Sequence, residues 1–384
     1  MKQITFKQLK ATNEVFTKLN NLRRWADFTT QQKYNEMSKQ ALNCIIAYMI
    51  AKCAEHEGKN ICYENFPRIA LGRAFAKVYV YFDTPEHKID EICKLSGISK
   101  KLFDIEATKI ISEKTDEEFA EFLSKGIGEY EVRIYKAATK IATHIELLEQ
   151  QKFVTDFSKF QEIERDLDAY MDIPGVSDFS DTDSQVFRVL QRLSDLRNQT
   201  RWATCCYNVE CSVLGHLFDT AMFAYLIALE ESNFDEEYAA KMFFMGIFHD
   251  IAETWTRDIP STIKNRIVGF RKATEKYELQ KLEKHMYSKV PAYLKEALKS
   301  VMMEDAANEV YKKKLKDADY LSADSECFRN LLSGSRDRYF CDAISYRKFE
   351  DCSENYEKMH NYFKNYAEKI RKKVSPEDEE ESEG

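Results

Sequence analysis

His249 and Asp250 stand at the end of an apolar run, Ala239–Phe248, where a histidine beside an aspartate needs a partner. Burying a carboxylate with nothing to pair it is costly. A divalent ion shared by the imidazole and the carboxylate removes that cost. Two further residues complete a candidate set: His216, in the apolar run Ser212–Met222, and Asp319, in Leu315–Leu321. Both runs have helical period, so all four side chains can converge inside a helix bundle. Two imidazoles and two carboxylates suit one borderline divalent ion, Mn, Co, Fe, Zn or Mg, and leave positions open for water and a substrate oxygen. Such an ion acidifies a bound water, giving hydroxide near neutral pH, and polarises a phosphoryl oxygen. That is the chemistry of phosphoester hydrolysis, and the remaining phosphate charge needs cationic or amide donors.

The elements that must hold this set are helices. Only 11 Gly and 6 Pro occur among 384 residues, which argues against a fold of many tight turns. Charged residues at 32% and aromatics at 13% fit long amphipathic helices around an aromatic core. In Lys39–Ala54 the apolar Leu42, Ile45, Ile46 and Met49 recur at i, i+3, i+4, i+7. Met1–Lys10 reads as a short strand or a frayed helix start. Ser112–Leu123 reads as a helix entry with acidic residues near its N-terminus. Asp172–Asp183, with Pro174-Gly175 and several Asp and Ser, reads as a linker or long loop. A first domain is therefore expected over 1–155, a linker over 156–184, a second domain over 185–373 and an acidic disordered tail over 374–384.

The net charge of -8 speaks against a broad basic footprint for duplex nucleic acid, while a small phosphorylated substrate needs only a local cluster of Arg and Lys. The ten cysteines are scattered and lack a second cluster with zinc-site spacing, so they read as reduced thiols. No signal peptide is recognisable and no apolar run is expected to span a membrane. The expected address is the cytoplasm.

The two halves share landmarks. Asn21-Leu-Arg-Arg24-Trp25-Ala26 mirrors Asn198-Gln-Thr-Arg201-Trp202-Ala203, Ala47-Tyr48 mirrors Ala224-Tyr225, and Asp83-Thr-Pro85 parallels Asp258-Ile-Pro260. An internal duplication is the expectation. The first half then places Lys39 where His216 stands, Ala74-Phe75 where His249-Asp250 stand and Thr143 near the place of Asp319. Those side chains cannot hold the ion, which makes the first half a degenerate, metal-free copy.

Arg201-Trp202, His216, His249-Asp250-Ile-Ala-Glu253, Asp258-Ile-Pro260 and Asp319, in that order, resemble the HD-domain phosphohydrolases, and most nearly the bacterial 5′-deoxynucleotidases. The resemblance covers about residues 190 to 335. It implies an all-α HD-domain bundle, with His216, His249, Asp250 and Asp319 as metal ligands. Glu253, which at i+4 from His249 would share its helix face, and Asp258 are implied as the acidic residues managing protons. Arg201 is implied as a phosphate contact and Trp202 as the wall of the sugar pocket. Two departures stand out. The family usually has Glu-His-Ser around the first ligand, against Gly215-His216-Leu217 here. It usually has Thr-Gly-Asp in the loop, against Thr256-Arg257-Asp258. Arg257, with Lys264 and Arg266 further on, is a candidate phosphate contact; a charged helix face is the plainer reading of the last two.

The implied activity is removal of the 5′-phosphate from deoxynucleoside monophosphates by a metal-bound hydroxide. A deoxynucleoside triphosphate triphosphohydrolase and a non-catalytic nucleotide sensor are the rivals. Family members commonly pair as dimers, so the inert half is expected to dock on the active half as a built-in pseudo-dimer partner, with homo-oligomers as the alternative.

Overall fold

A computed structural model describes residues 3–26, 30, 32–82, 84–151, 165–257, 259, 261–302, 309–346 and 352–374. It is 75% helical, and no strand occurs among the described residues. Short polar side chains start the helices where the sequence supplies them. Thr5 forms a capping box with Gln8 ahead of Phe6–Asn21, so the N-terminal segment enters a helix and not a strand. Asn35 caps Glu36–His56, Ser212 caps Val213–Glu231 and Asp235 caps Glu236–Phe248, each accepting a backbone N–H in the first turn.

The Val213–Glu231 helix is the axis of the molecule. It packs against Glu236–Phe248, Glu309–Leu332 and Glu36–His56. Being covered on every side, it is apolar all round and not amphipathic. At 19 residues it is long and apolar enough to cross a membrane, and 94% of its apolar window lies inside the protein. This corrects the expectation that no run reaches that length: the run exists and serves as the core helix. Gly246 sets how closely the next helix approaches, since a Cβ there would fall 2.6 Å from Ala221 Cα.

Two boundaries differ from the sequence reading. The acidic helix entry lies at Asp116, whose side chain accepts from the Phe119 N–H, while Ser112 belongs to the end of Lys101–Lys114. The connection between the halves, where described, is packed: Val176–Ser180 is helical, and Ile173, Val176 and Phe179 are buried. The acidic tail from 375 onward lies outside the described residues.

One hydrophobic cluster runs through both halves, from Leu9, Phe16 and Ile45 to Phe218, Phe243 and Phe328. Tyr48 of the first half packs on Phe244 and Phe248 of the second at ring separations of 4.7 and 5.3 Å. Polar contacts join them as well. Ser38 Oγ lies 2.9 Å from Ser212 Oγ, Asn20 Nδ2 donates to the Glu210 carbonyl at 2.9 Å, and Arg197 pairs with Glu149 at 3.1 Å.

The same local arrangement occurs twice. Isolated bridges link Arg23 with Asn35 and Thr200 with Ser212. Trp25 and Trp202 have φ of 58° and 59°. Arg24 and Trp25 both donate to Glu146, and Arg201 and Trp202 both donate to Glu326.

Candidate metal and phosphate site

The Val213–Glu231 helix presents His216 to the Glu309–Leu332 helix. There Asp319, Ser322 and Glu326 fall at i, i+3, i+7 and so share one face. His216 Nε2 lies 3.0 Å from Asp319 Oδ1, and its Nδ1 lies 2.9 Å from Ser322 Oγ and 3.1 Å from Glu326 Oε1. The ring is buried. Burial and Arg201 pull its basicity down, but Glu326 and Asp319 outweigh them and push its pKa up to about 9.

His249 caps the C-terminus of Glu236–Phe248, and its ring lies 5.3 Å from that of His216. Its Nδ1 donates to the Gly246 carbonyl at 2.7 Å. That bond orients the ring and turns Nε2 inward. Nε2 is buried without a hydrogen-bond partner and faces Asp250 Oδ2 at 3.1 Å. His216, His249 and Asp250 each offer a ligand atom within 4.8 Å of the others. Asp319 adjoins this trio through His216, while its other oxygen takes Lys316 Nζ at 2.5 Å. Desolvation works against the Asp250 charge, yet the neighbouring His249 holds its carboxyl well below the usual range. Asp319 is likewise held low, by His216 and Lys316 against its burial. Two imidazoles and two carboxylates gathered at one largely buried point are a donor set that fits a divalent ion.

Glu253 does not share a helix with His249. After Phe248 the chain tightens into i→i+3 turns, Ile251 N–H to Phe248 and Glu253 N–H to Asp250, and restarts as the single turn Glu253–Thr256. The i+4 face expected from sequence is therefore broken, although Glu253 is still buried and within electrostatic reach of Arg201. Gln199 holds this turn by donating to the Glu253 carbonyl at 2.9 Å. Asp258 lies outside the described residues.

Arg201 and Trp202 meet on a carboxylate that the sequence reading missed. Arg201 Nε and Trp202 Nε1 donate to Glu326 Oε2 at 2.9 and 2.7 Å. The Trp202 ring packs on Tyr339 and Phe340 at 6.0 and 5.9 Å. The Asp319–Glu326 spacing was the available signal. Arg257 is exposed, with φ 63° and ψ 164°, a region almost reserved for glycine. It lines a cavity of about 560 Å³ with Arg192, Asn198, Gln199, Thr254 and Trp255, which backs onto the Glu253 turn and not onto the metal trio. Lys264 pairs with Glu278 at 3.4 Å, and Glu278 in turn feels the Asp250 charge. Lys316, also unforeseen, stands at the exposed edge beside Asp319.

In the first half Lys39 stands four residues after the Asn35 cap, as His216 stands four after the Ser212 cap, and its Nζ donates to Thr143 Oγ1 at 2.6 Å. Counting seven residues back from each clamp glutamate reaches Asp319 in one half and Thr139 in the other, so Thr139, and not Thr143, stands in register with Asp319. Ala74 and Phe75 are buried apolar residues. Asp83 lies outside the described residues.

Known proteins resemble the second half of the chain. The sequence profile of the YfbR-like 5′-deoxynucleotidases matches residues 188–370. A 5′-deoxynucleotidase of Shewanella oneidensis is 31% identical over 159 residues, covering 40% of this chain and 77% of that protein. The 5′-deoxynucleotidase YfbR of Shigella boydii is 29% identical over 150 residues, covering 38% and 73%. The matched span contains the metal trio, Asp319 and the Arg201–Trp202–Glu326 clamp, and the chain belongs to the YfbR-like 5′-deoxynucleotidase family.

Proposed function

We propose that this chain removes the 5′-phosphate from deoxynucleoside monophosphates at the centre formed by His216, His249, Asp250 and Asp319. The observation that carries this is the convergence of two imidazoles and two carboxylates from three separate segments, with Arg201 and Glu253 beside them. The relatives are named 5′-deoxynucleotidases, which favours this reading over the triphosphohydrolase and the sensor. These four side chains would hold one divalent ion, which when bound supplies Lewis acidity toward the phosphoryl oxygen and acidifies water.

The chain's own residues do the rest. Glu326 holds Arg201 by its Nε, leaving the Nη groups to fork onto a phosphate. Glu253, sheltered next to Arg201, takes or returns a proton at its carboxylate. Lys264 and Lys316 contribute cationic charge at the exposed edge of the site. Arg257 sits in a conformation costing about 1–3 kcal/mol for a residue with a side chain. Strain of that size supports a role for its guanidinium in the cavity it lines.

We also propose that the first half is a metal-free copy serving as the partner that a dimeric relative would recruit. The repeated clamp, the paired bridges and the Lys39 ammonium in the place of His216 support this. Among the described residues one helix is long and apolar enough to cross a membrane, and its burial supports a water-soluble protein with the expected cytoplasmic address.

The test is turnover by the full chain with Mn or Co against deoxynucleoside mono-, di- and triphosphates. Phosphate from monophosphates is expected, falling to background in His249→Ala and Asp250→Ala. Tripolyphosphate released from triphosphates would favour the triphosphohydrolase. No release above those variants would favour the sensor.

A further inference from the structure

Next to the Glu253 turn lies a cavity of about 500 Å³ whose lining includes none of His216, His249, Asp250 and Asp319. The Gln185–Ser194 helix supplies one wall, with Arg188 and Arg192 one turn apart on the same face. Trp255 forms the floor, and His285 and Lys289 close the other side. The Trp255 and His285 rings lie nearly parallel, 14° apart with centroids at 6.1 Å. None of these residues belongs to the metal or Arg201 site.

The charge here runs against that of the chain. The protein carries a net -8, yet Lys281, Lys284, Lys289 and Arg192 all act on His285. Burial first, then these four cations, lower its pKa. The acidic groups paired with the wall are Asp183, 3.5 Å from Arg188, and Asp195, 2.5 Å from Arg192. Both are solvent-exposed pairs of little strength, which a multiply charged ligand can displace. Arg188 and Arg192 are themselves 64% and 55% exposed, so their guanidinium groups are accessible.

We propose that this cavity binds a nucleoside polyphosphate at a second site, distinct from the metal centre. The base lies against Trp255, and the phosphates are held by Arg188, Arg192 and Lys289. An indole face with several convergent cations matches an aromatic polyanion better than a free phosphate, which needs no ring, or an apolar metabolite, which needs no cations. The volume falls within the range of small-ligand sites. Arg192 and Trp255 also line the neighbouring 560 Å³ cavity, and Trp255 shares its single helical turn with Glu253. A bound nucleotide therefore lies two residues from the catalytic edge without touching it.

The test uses the full chain with Asp250→Ala, in EDTA and low salt, so that the metal centre contributes nothing. Calorimetry follows AMP, ADP, ATP and inorganic tripolyphosphate, and indole fluorescence follows the same titrations. Affinity should rise about tenfold from AMP to ATP, and ATP should change the fluorescence where tripolyphosphate does not. Arg188→Glu with Lys289→Glu should weaken ATP about tenfold or more while deoxynucleotide turnover on the wild-type background persists. The milder R188Q with K289Q should weaken it less, and W255F should remove the fluorescence change. The proposal is overturned if ATP does not saturate the protein, if the charge-reversed variant binds ATP as well as its parent, or if tripolyphosphate binds as tightly as ATP. Because Asp250 is already removed, failure of the proposed hydrolysis would leave each of these outcomes readable.

Discussion

Glu326 accepts from Arg201, Trp202 and His216 at once and is almost wholly buried. Glu326→Ala would strand a buried guanidinium, and the cost should be about 3–5 kcal/mol in chemical denaturation. Metal affinity should fall by about 10- to 100-fold, because the carboxylate fixes the His216 ring. Glu326→Gln keeps an acceptor and should recover part of the stability but little of the metal affinity; equal recovery of both would mean the residue only packs. The place that parallels His216 in the first half obeys different physics. Lys39 is buried beside Arg24 and Lys77, with Glu146 and Glu36 opposing them, and burial above all lowers its pKa to about 7. The unfolded chain, with Lys39 near its ordinary value, binds more protons than the folded one between about pH 7 and 10. Stability should therefore rise with pH across that window, and this slope should be missing in Lys39→Met. An equal gain in stability from pH 7 to pH 9.5 in the parent and in Lys39→Met, read by urea denaturation, would refute it.

At the scale of elements, the site depends on breaks as much as on helices. The chain tightens after Phe248 and restarts at Glu253, which is how His249, Asp250 and Glu253 come to point to neighbouring places from one short stretch. Arg257 ends that turn in a conformation suited to glycine, the residue that the resemblance leads one to expect there. Arg257→Gly should raise stability by about 1 kcal/mol, the relieved strain exceeding the added chain entropy. Its KM for a deoxynucleotide should rise if the guanidinium contacts substrate. A variant that is no more stable than the parent would show the backbone to be unstrained.

At the scale of the whole molecule, the first half buttresses the second. Tyr48 packs on the two phenylalanines of the helix that ends at His249, and Ser38 meets the Ser212 cap of the helix that carries His216. A fragment of residues 180–384 would expose the Val213–Glu231 helix where Glu36–His56 now covers it. It should aggregate or self-associate, and lose most activity, as read by light scattering and phosphate release. A monomeric, stable and fully active fragment would end the pseudo-dimer idea.

Much of this was legible before any coordinates. The order His216, His249-Asp250, Asp319 and the 3.6-residue periodicity are local properties, and periodicity dictates which side chains share a helix face. The repeat of Arg-Trp could be read for the same reason. What the sequence could not supply were contacts between segments far apart in the chain. Glu326 lies 125 residues from Arg201 and 110 from His216, so no local pattern links them. The same holds for Lys39 meeting Thr143, and for the basic cavity assembled from Gln185–Ser194, Trp255 and Lys289. His249 and Glu253 do not share a helix face because the chain between them runs through i→i+3 turns. Residue types and their periods determined that a helical bundle able to hold a metal was encoded, and the resemblance to the HD-domain phosphohydrolases supplied the reaction. Only the packed structure decided which carboxylate holds the histidine, which half carries the chemistry's supports and where positive charge gathers, because those are outcomes of burial shared between distant helices.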